Sequence, residues 1–150
     1  MPQDTQTNTR LAQKFIQHIT RGCWPEGDSE LDEAQRMISP DYEYQLLPKS
    51  LKHPPMAWPQ HRDWLSKTIR GAGFTDFYMD IRRSTAQDDR VILEAVSRAI
   101  AKDGRSYSNE YRFAIMFSQD GKICKEEEFL DSLYVVEFLN QGNIKVLEHE

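Results

Sequence analysis

Glu128, Tyr107 and Tyr111 are the side chains of this chain whose types and spacing suit proton transfer. A carboxyl removed from water titrates closer to neutral pH and can then act as acid or base, and a nearby phenol can hold or pass on the proton. Tyr107 and Tyr111 stand two pleats apart in the strand-like run Tyr107-Ser108-Asn109-Glu110-Tyr111-Arg112-Phe113, so both point to one side of it. Whether Glu128 joins them depends on strand register.

Two Asp-Gly pairs set that register. Asp103-Gly104 and Asp120-Gly121 lie between strand-like stretches, a placement that favours two-residue type I′ hairpins. Lys102 then pairs with Arg105, and Gln119 with Lys122. Counting outward puts Val96 against Tyr111, Glu94 against Phe113, Phe113 against Glu128 and Tyr111 against Leu130. One face then collects Glu94, Arg98, Tyr107, Asn109, Tyr111, Phe113, Glu126 and Glu128 among Ile92, Val96, Ile115 and Leu130. It is the more aromatic face and the one expected to be buried, with Glu128 diagonal to Tyr111 and within reach of its hydroxyl. A bulge or a one-residue slip would send Glu94 or Glu128 to the other side.

Each of these residues also has an ordinary reading. A glutamate in the run Glu126-Glu127-Glu128 is commonly a solvated strand residue, and strand tyrosines are commonly core or rim. Glu94 and Arg98 read as an ion pair internal to the aromatic face. Tyr44, Trp58 and Phe113 are either apolar walls of a pocket or plain core.

The positioning elements come from periodicity. Leu11, Phe15 and Ile19 recur at helical spacing after the capping pair Asn8 and Thr9. Asp28 and Ser29 start a second helix through Leu31, Ala34 and Ile38, with Arg36 in its last turn before Pro40. Tyr42 to Leu47 reads as a strand, and Pro48, Pro54 and Pro55 force an irregular connection. Pro59 opens a third helix to about Arg70, carrying His61, Trp64 and Leu65 inward. Phe77 to Ile81 is a short strand. Segments 90–101, 105–118 and 122–134 form a meander, Val135 to Asn140 is a helical turn or strand end, and the tail from Gln141 is loose. Helices preceding an antiparallel sheet make an α+β domain with the helices on one sheet face.

At 150 residues, 39% hydrophobic and 29% charged, the chain reads as one domain over 1–150, with an ordered core from about 8 to 140. The net charge of -5 without a long run of like charges argues against nucleic acid and anionic membranes as partners. A polar N-terminus and the lack of a long apolar stretch imply a cytoplasmic protein. Cys23 and Cys124 lack metal-ligand spacing, and His53 and His61 lack a second-ligand pattern. With no phosphate-cradling loop or dinucleotide motif either, neither a metal nor a cofactor is expected.

The element order, Asp120-Gly121-Lys122-Ile123 leading into Glu128-Phe129-Leu130-Asp131-Ser132-Leu133-Tyr134, and the Tyr107 to Phe113 strand together resemble the NTF2-like (SnoaL-like) superfamily over nearly the whole chain. Within it, four local elements are similar to small fungal isomerases of secondary metabolism, a group with meroterpenoid isomerases and an indole-alkaloid semipinacolase. They are Arg36 shortly before Ser39-Pro40, Leu47-Pro48-x-Ser50-Leu51, Asn109-Glu110-Tyr111, and Glu128-Phe129-x-Asp131-Ser132.

The resemblance implies a cone, a curved antiparallel sheet wrapped around about three N-terminal helices with an internal pocket. It also implies a homodimer through an outer face with Ala114, Met116, Phe129 and Leu133. The implied activity is an acid/base skeletal rearrangement of a polycyclic small molecule by a cofactor-independent isomerase. Glu128 would move the proton, Arg36 would stabilise an oxygen on which charge develops, and Tyr107 and Tyr111 would orient the substrate; Tyr44, Trp58, Glu94, Asn109 and Phe113 would contact it. The other readings are a non-catalytic ligand-binding module, and a dehydratase or epoxide hydrolase on the same fold. Neither the Asp, His and Tyr set of scytalone dehydratases nor the Arg/Asp pairing of limonene epoxide hydrolases is recognisable.

Overall fold

The computed structural model describes residues 3–147; the outermost residues of the expected domain, 1–2 and 148–150, lie outside the described residues. Helix α1 (Thr5–Gly22) starts earlier than the Asn8–Thr9 pair suggests, because the Asp4 side chain accepts a hydrogen bond from the Thr7 amide at 2.7 Å. Its buried stripe of Ala12, Phe15, Ile16 and Ile19 lies inside the sheet's curl. Helix α2 (Asp28–Gln35) adds Leu31 and Ala34 to the same core.

Strand β1 (Ile38–Leu47) begins four residues before the expected Tyr42, taking Ile38 from helix to strand. Pro40 is accommodated because pairing to the neighbouring strand is interrupted between Ile38 and Glu43. The short β2 (Met56–Ala57) leads into α3 (Trp58–Asp63), with Pro59 in its first turn, and α3 continues as a π-helical stretch, Trp64–Ile69. The remaining elements are β3 (Thr75–Gln87), β4 (Arg90–Ile100), β5 (Ser106–Tyr107), β6 (Glu110–Phe117), β7 (Ile123–Leu130) and α4 (Ser132–Gln141). Asp131 caps α4 by accepting from the Tyr134 amide at 3.1 Å, which settles that segment as helix.

The strands run β2-β1-β7-β6-β4-β3, with β5 on β4. Pairing is antiparallel except between β1 and β7, which are parallel. Among the described residues, four α-helices and this curled mixed sheet make a half-barrel, the cone of the NTF2-like α+β fold.

Both Asp-Gly turns are one residue longer than a type I′ turn. The Ala101 amide donates to the Arg105 carbonyl at 2.8 Å, and the Ser118 amide to the Lys122 carbonyl at 2.7 Å, so each loop holds three residues. Only the last of each has positive φ, Gly104 at 87° and Gly121 at 82°, as a type I turn closed by a left-handed glycine requires. The extra residue shifts β4 by one, pairing Leu93 with Phe113 and Ala95 with Tyr111. Val91, Leu93, Ala95, Ser97 and Ala99 therefore face inward, while Ile92, Glu94, Val96 and Arg98 face out. Between β6 and β7 a bulge at Cys124 takes the shift back: Phe117 pairs with Ile123 and Met116 with Lys125. From there the count holds, with Phe113 opposite Glu128 and Tyr111 opposite Leu130.

Glu94 is thus corrected to the outer face. It lies between its cross-strand neighbours Arg83, which bonds it through Nε and Nη2, and Arg112, 3.1 Å away. Arg98 is no internal partner for it; its guanidinium lies 4.9 Å from the Tyr78 ring centroid on the same exterior.

Candidate active site

Inside the cone is a cavity of about 120 Å³. Its walls come from α1 (Ile16, Ile19, Thr20, Cys23), β1 (Leu46), the π-helical stretch (Trp64, Leu65, Ile69), the β3 region (Phe74, Phe77, Met79) and β4 (Ala99). Tyr107, Tyr111, Phe113, Glu128 and Leu130 form the sheet side, and Val135, Leu139, Val146 and Leu147 close the C-terminal side. Among the described residues lining it, Glu128 is the one carboxyl, and none is Lys, Arg or His.

Strand β7 aims Glu128 inward, and the adjoining β1 sets Tyr44 beside it. The Tyr44 hydroxyl donates to Glu128 Oε1 at 3.2 Å; Oε2 takes no hydrogen bond from the described residues. Burial raises the Glu128 carboxyl from an ordinary carboxylic acid to about 7, and the Tyr44 bond only partly offsets this. The carboxyl is thus poised to give or take a proton near neutral pH.

The phenols opposite remain protonated in that range. Burial pushes Tyr107 up to about 12 and Tyr111 well above its usual value. Tyr111 Oη lies 3.0 Å from Ser97 Oγ, and the Asn109 side-chain amide donates to Tyr107 Oη at 3.0 Å. Asn109 is itself held by the Asp131 carbonyl, 3.2 Å from Nδ2, and the Glu110 amide, 2.7 Å from Oδ1.

A second polar cluster stands behind Glu128. Glu126 points inward two residues earlier on β7 and is wholly enclosed. Its Oε1 is 3.1 Å from Tyr42 Oη, which is 3.0 Å from His61 Nδ1; Oε2 has no hydrogen-bond partner. Burial and then the neighbouring Glu128 hold Glu126 well above the usual carboxylic range, while burial drops His61 to about 3. The imidazole is therefore neutral near pH 7. The Tyr42 hydroxyl donates to Glu126 Oε1 and also meets His61 Nδ1, so one phenol links the carboxyl to the imidazole. The His61 ring stacks on Tyr44 with centroids 3.9 Å apart, tying this cluster to the phenol that bonds Glu128.

Of the residues expected from sequence, the cavity brings together Glu128, Tyr107, Tyr111 and Phe113. Tyr44 and Trp58 are buried in the aromatic cluster around His61 and do not line the cavity; Asn109 holds Tyr107 from behind; Glu94 is outside. Arg36 is corrected to the surface. It caps the C-terminal end of α2, where the chain turns into β1, and its side chain is 68% exposed and pairs with Glu33 at 2.5 Å. Arg36→Ala is accordingly expected to cost no more than about 0.5 kcal/mol in chemical denaturation and to leave turnover and ligand binding unchanged. Glu126 was on the counted face, but its partnership with Tyr42 and His61 had no local signal, because it depends on the parallel β1–β7 pairing.

Among the described residues, no group of three or more His, Cys, Asp or Glu side chains could hold a metal ion, and no helix is long and apolar enough to cross a membrane. Cys23, on the cavity wall, is pushed up to about 12 by burial and is an unreactive thiol at neutral pH.

The sheet thus wraps an apolar cavity that, among the described residues, one carboxyl lines, Glu128. The chain belongs to the SnoaL-like domain family, whose model matches residues 12–126. Among solved structures it is similar to the BvnE pinacolase from Penicillium brevicompactum, at 20% identity and TM-score 0.76 over 93% of this chain and 97% of that one. PrhC from Penicillium brasilianum NBRC 6234 is similar at 14% identity and TM-score 0.79, over 95% of each chain. An LEH-like epoxide hydrolase of M. tuberculosis is similar at 16% identity and TM-score 0.67, over 93% of this chain and 94% of that one. No curated protein matches the chain by sequence.

Proposed function

We propose that this protein is a cofactor-independent isomerase that rearranges the skeleton of an apolar natural-product intermediate by acid/base catalysis. The observation that carries the reading is Glu128, a carboxyl near neutral pKa opening onto a cavity otherwise walled by apolar and aromatic side chains. The pinacolase named among the structural neighbours supports this chemistry over others available on the fold.

A semipinacol-type shift of a hydroxylated indole intermediate illustrates what one such carboxyl can do. The protonated acid gives its hydrogen to the imine nitrogen. The hydroxyl oxygen loses its proton to the other carboxylate oxygen as its electron pair forms the carbonyl, and the migrating bond moves to the neighbouring carbon. Glu128 ends as it began, and the product has the mass of the substrate. A meroterpenoid ring rearrangement would use the same carboxyl in the same way. Tyr107 and Tyr111 donate hydrogen bonds that fix the substrate, and the apolar wall excludes water.

The cavity compares with an engineered one of about 150 Å³ that accepts benzene, so a polycyclic substrate requires the walls to open further. A second copy of the chain would cover the outer face, where Phe129 is 50% and Leu133 68% exposed. The non-catalytic reading is favoured by one observation: no cationic side chain converges on the carboxyl among the described residues. Incubation with a hydroxyindolenine and mass-resolved chromatography separates the readings. An isomer of unchanged mass is expected; loss or gain of water would mean a dehydratase or hydrolase, and unchanged substrate would favour the binding module.

A further inference from the structure

We propose that the cavity receives ligands as cations, taking an apolar molecule that carries an ammonium group, with Glu128 as the counter-charge and the aromatic walls as its cage. This rests on the reading of the cavity as a substrate site and names the chemical class that fits it.

The charge inventory points one way. Glu128 is the one carboxyl among the described lining residues, and no Lys, Arg or His accompanies it. Tyr107, Tyr111, Phe113, Trp64, Phe74 and Phe77 line the same space. Rings carry negative electrostatic potential on their faces, so together with a carboxylate they attract a cation and repel an anion. The arrangement is the reverse of an oxyanion site, which needs fixed positive charge or aimed donors. A guanidinium at Arg36 would have made the cavity an oxyanion site, and Arg36 lies on the surface.

Glu128 also lacks the partner that burial of a charge calls for. Its single hydrogen bond is from a neutral phenol, Tyr44, to Oε1, and Oε2 is free to accept from a ligand. Arg70, whose charge reaches Cys23, pairs with Asp28 at 2.9 Å and does not line the cavity. The other titratable groups near Glu128 include Glu126 on β7, Tyr42 and Tyr44 on β1, Tyr107 and Tyr111 on β5 and β6, Cys23 at the C-cap of α1 and His61 on α3. Burial pushes Glu126 toward the acid and keeps the phenols and thiol protonated and His61 neutral. None of them supplies positive charge. An ammonium inside the cavity would supply it, and Glu128 would ionise to meet it.

Phenyltrimethylammonium and its neutral isostere tert-butylbenzene make the test, with binding to the intact chain followed by protein NMR between pH 6 and 8. The cation cannot titrate, so any pH dependence belongs to the protein. It is expected to bind about tenfold more tightly than tert-butylbenzene at pH 8 and to lose about tenfold in affinity by pH 6, as Glu128 takes up its proton. The isostere is expected to bind equally at both. In Glu128→Gln the cation's advantage and its pH dependence should vanish while tert-butylbenzene still binds, which reports an intact cavity. If tert-butylbenzene binds and the cation has no advantage or no pH dependence, the ammonium proposal is overturned and the apolar site stands. If neither ligand enters, both fall.

Discussion

Glu128→Gln is expected to lower turnover by a factor of about 10²–10⁴ while leaving the protein folded. Gln has nearly the same shape, keeps an acceptor for the Tyr44 hydroxyl, which lies 3.2 Å from Oε1 in the wild type, and carries no proton to exchange. Because Glu128 is held near 7 by burial, replacing it with a permanently neutral amide removes an unfavourable charge rather than a stabilising one. The fold should therefore be as stable as the wild type at pH 5 and more stable at pH 8. Turnover assays alongside chemical denaturation separate the two effects: loss of activity with loss of stability would place Glu128 in the structure, and full activity would remove it from the chemistry.

The second large effect is on stability against pH. A group whose folded pKa lies above its unfolded value favours the folded state at low pH, and that advantage is lost as pH rises from the unfolded to the folded value. For Glu128 the window runs from the ordinary 4.5 to about 7, and the loss is on the order of 3 kcal/mol. Glu126, also raised above its ordinary value by burial and by Glu128, acts in the same direction. The wild type is expected to weaken steadily from pH 5 to 8 in urea denaturation. The double variant Glu126→Gln with Glu128→Gln should flatten that curve, since both amides stay neutral in either state. A wild-type curve that is flat or rises over this range would mean that the two carboxyls are ionised and compensated in the folded protein.

How much of this was legible in the sequence depends on the range over which each signal acts. The β6–β7 pairing of Phe113 with Glu128 follows from counting because two local departures cancel: a third loop residue at Gly121 and a bulge at Cys124. The same third residue at Gly104 has no bulge to cancel it, so Glu94 and Arg98 fall outside and Leu93 and Ala95 fall inside. An Asp-Gly pair marks a turn reliably, but its length depends on whether one or two residues take positive φ, and Asp-Gly suits both.

Longer-range features left less trace. The early start of β1 at Ile38 and its parallel pairing with β7 bring Tyr42 beside Glu126 and Tyr44 near Glu128, and no local pattern in either strand encodes that meeting. His61 was expected to face inward from α3, and it does, yet its bond to Tyr42 emerges only from the packed structure. Arg36 shows the opposite failure. Its expected place in the pocket rested on resemblance alone, whereas its position at the C-terminal cap of α2, three residues after Glu33, gives the guanidinium a nearer partner in solvent. The fold was legible because periodicity and turns are local; the site was legible only where it lies on one hairpin.

The proposed chemistry depends on Glu128 being a carboxyl poised near neutrality in an apolar cavity. Carboxyl carbon-13 NMR titration of glutamate-labelled protein, with Glu128→Gln used to assign the resonance, tests it most directly. A Glu128 titration midpoint near 7 is expected, with that of Glu126 also raised above the ordinary carboxylic value. A midpoint near the ordinary 4.5 would contradict it, since the carboxyl would then be a solvated or paired anion with no proton to give at neutral pH.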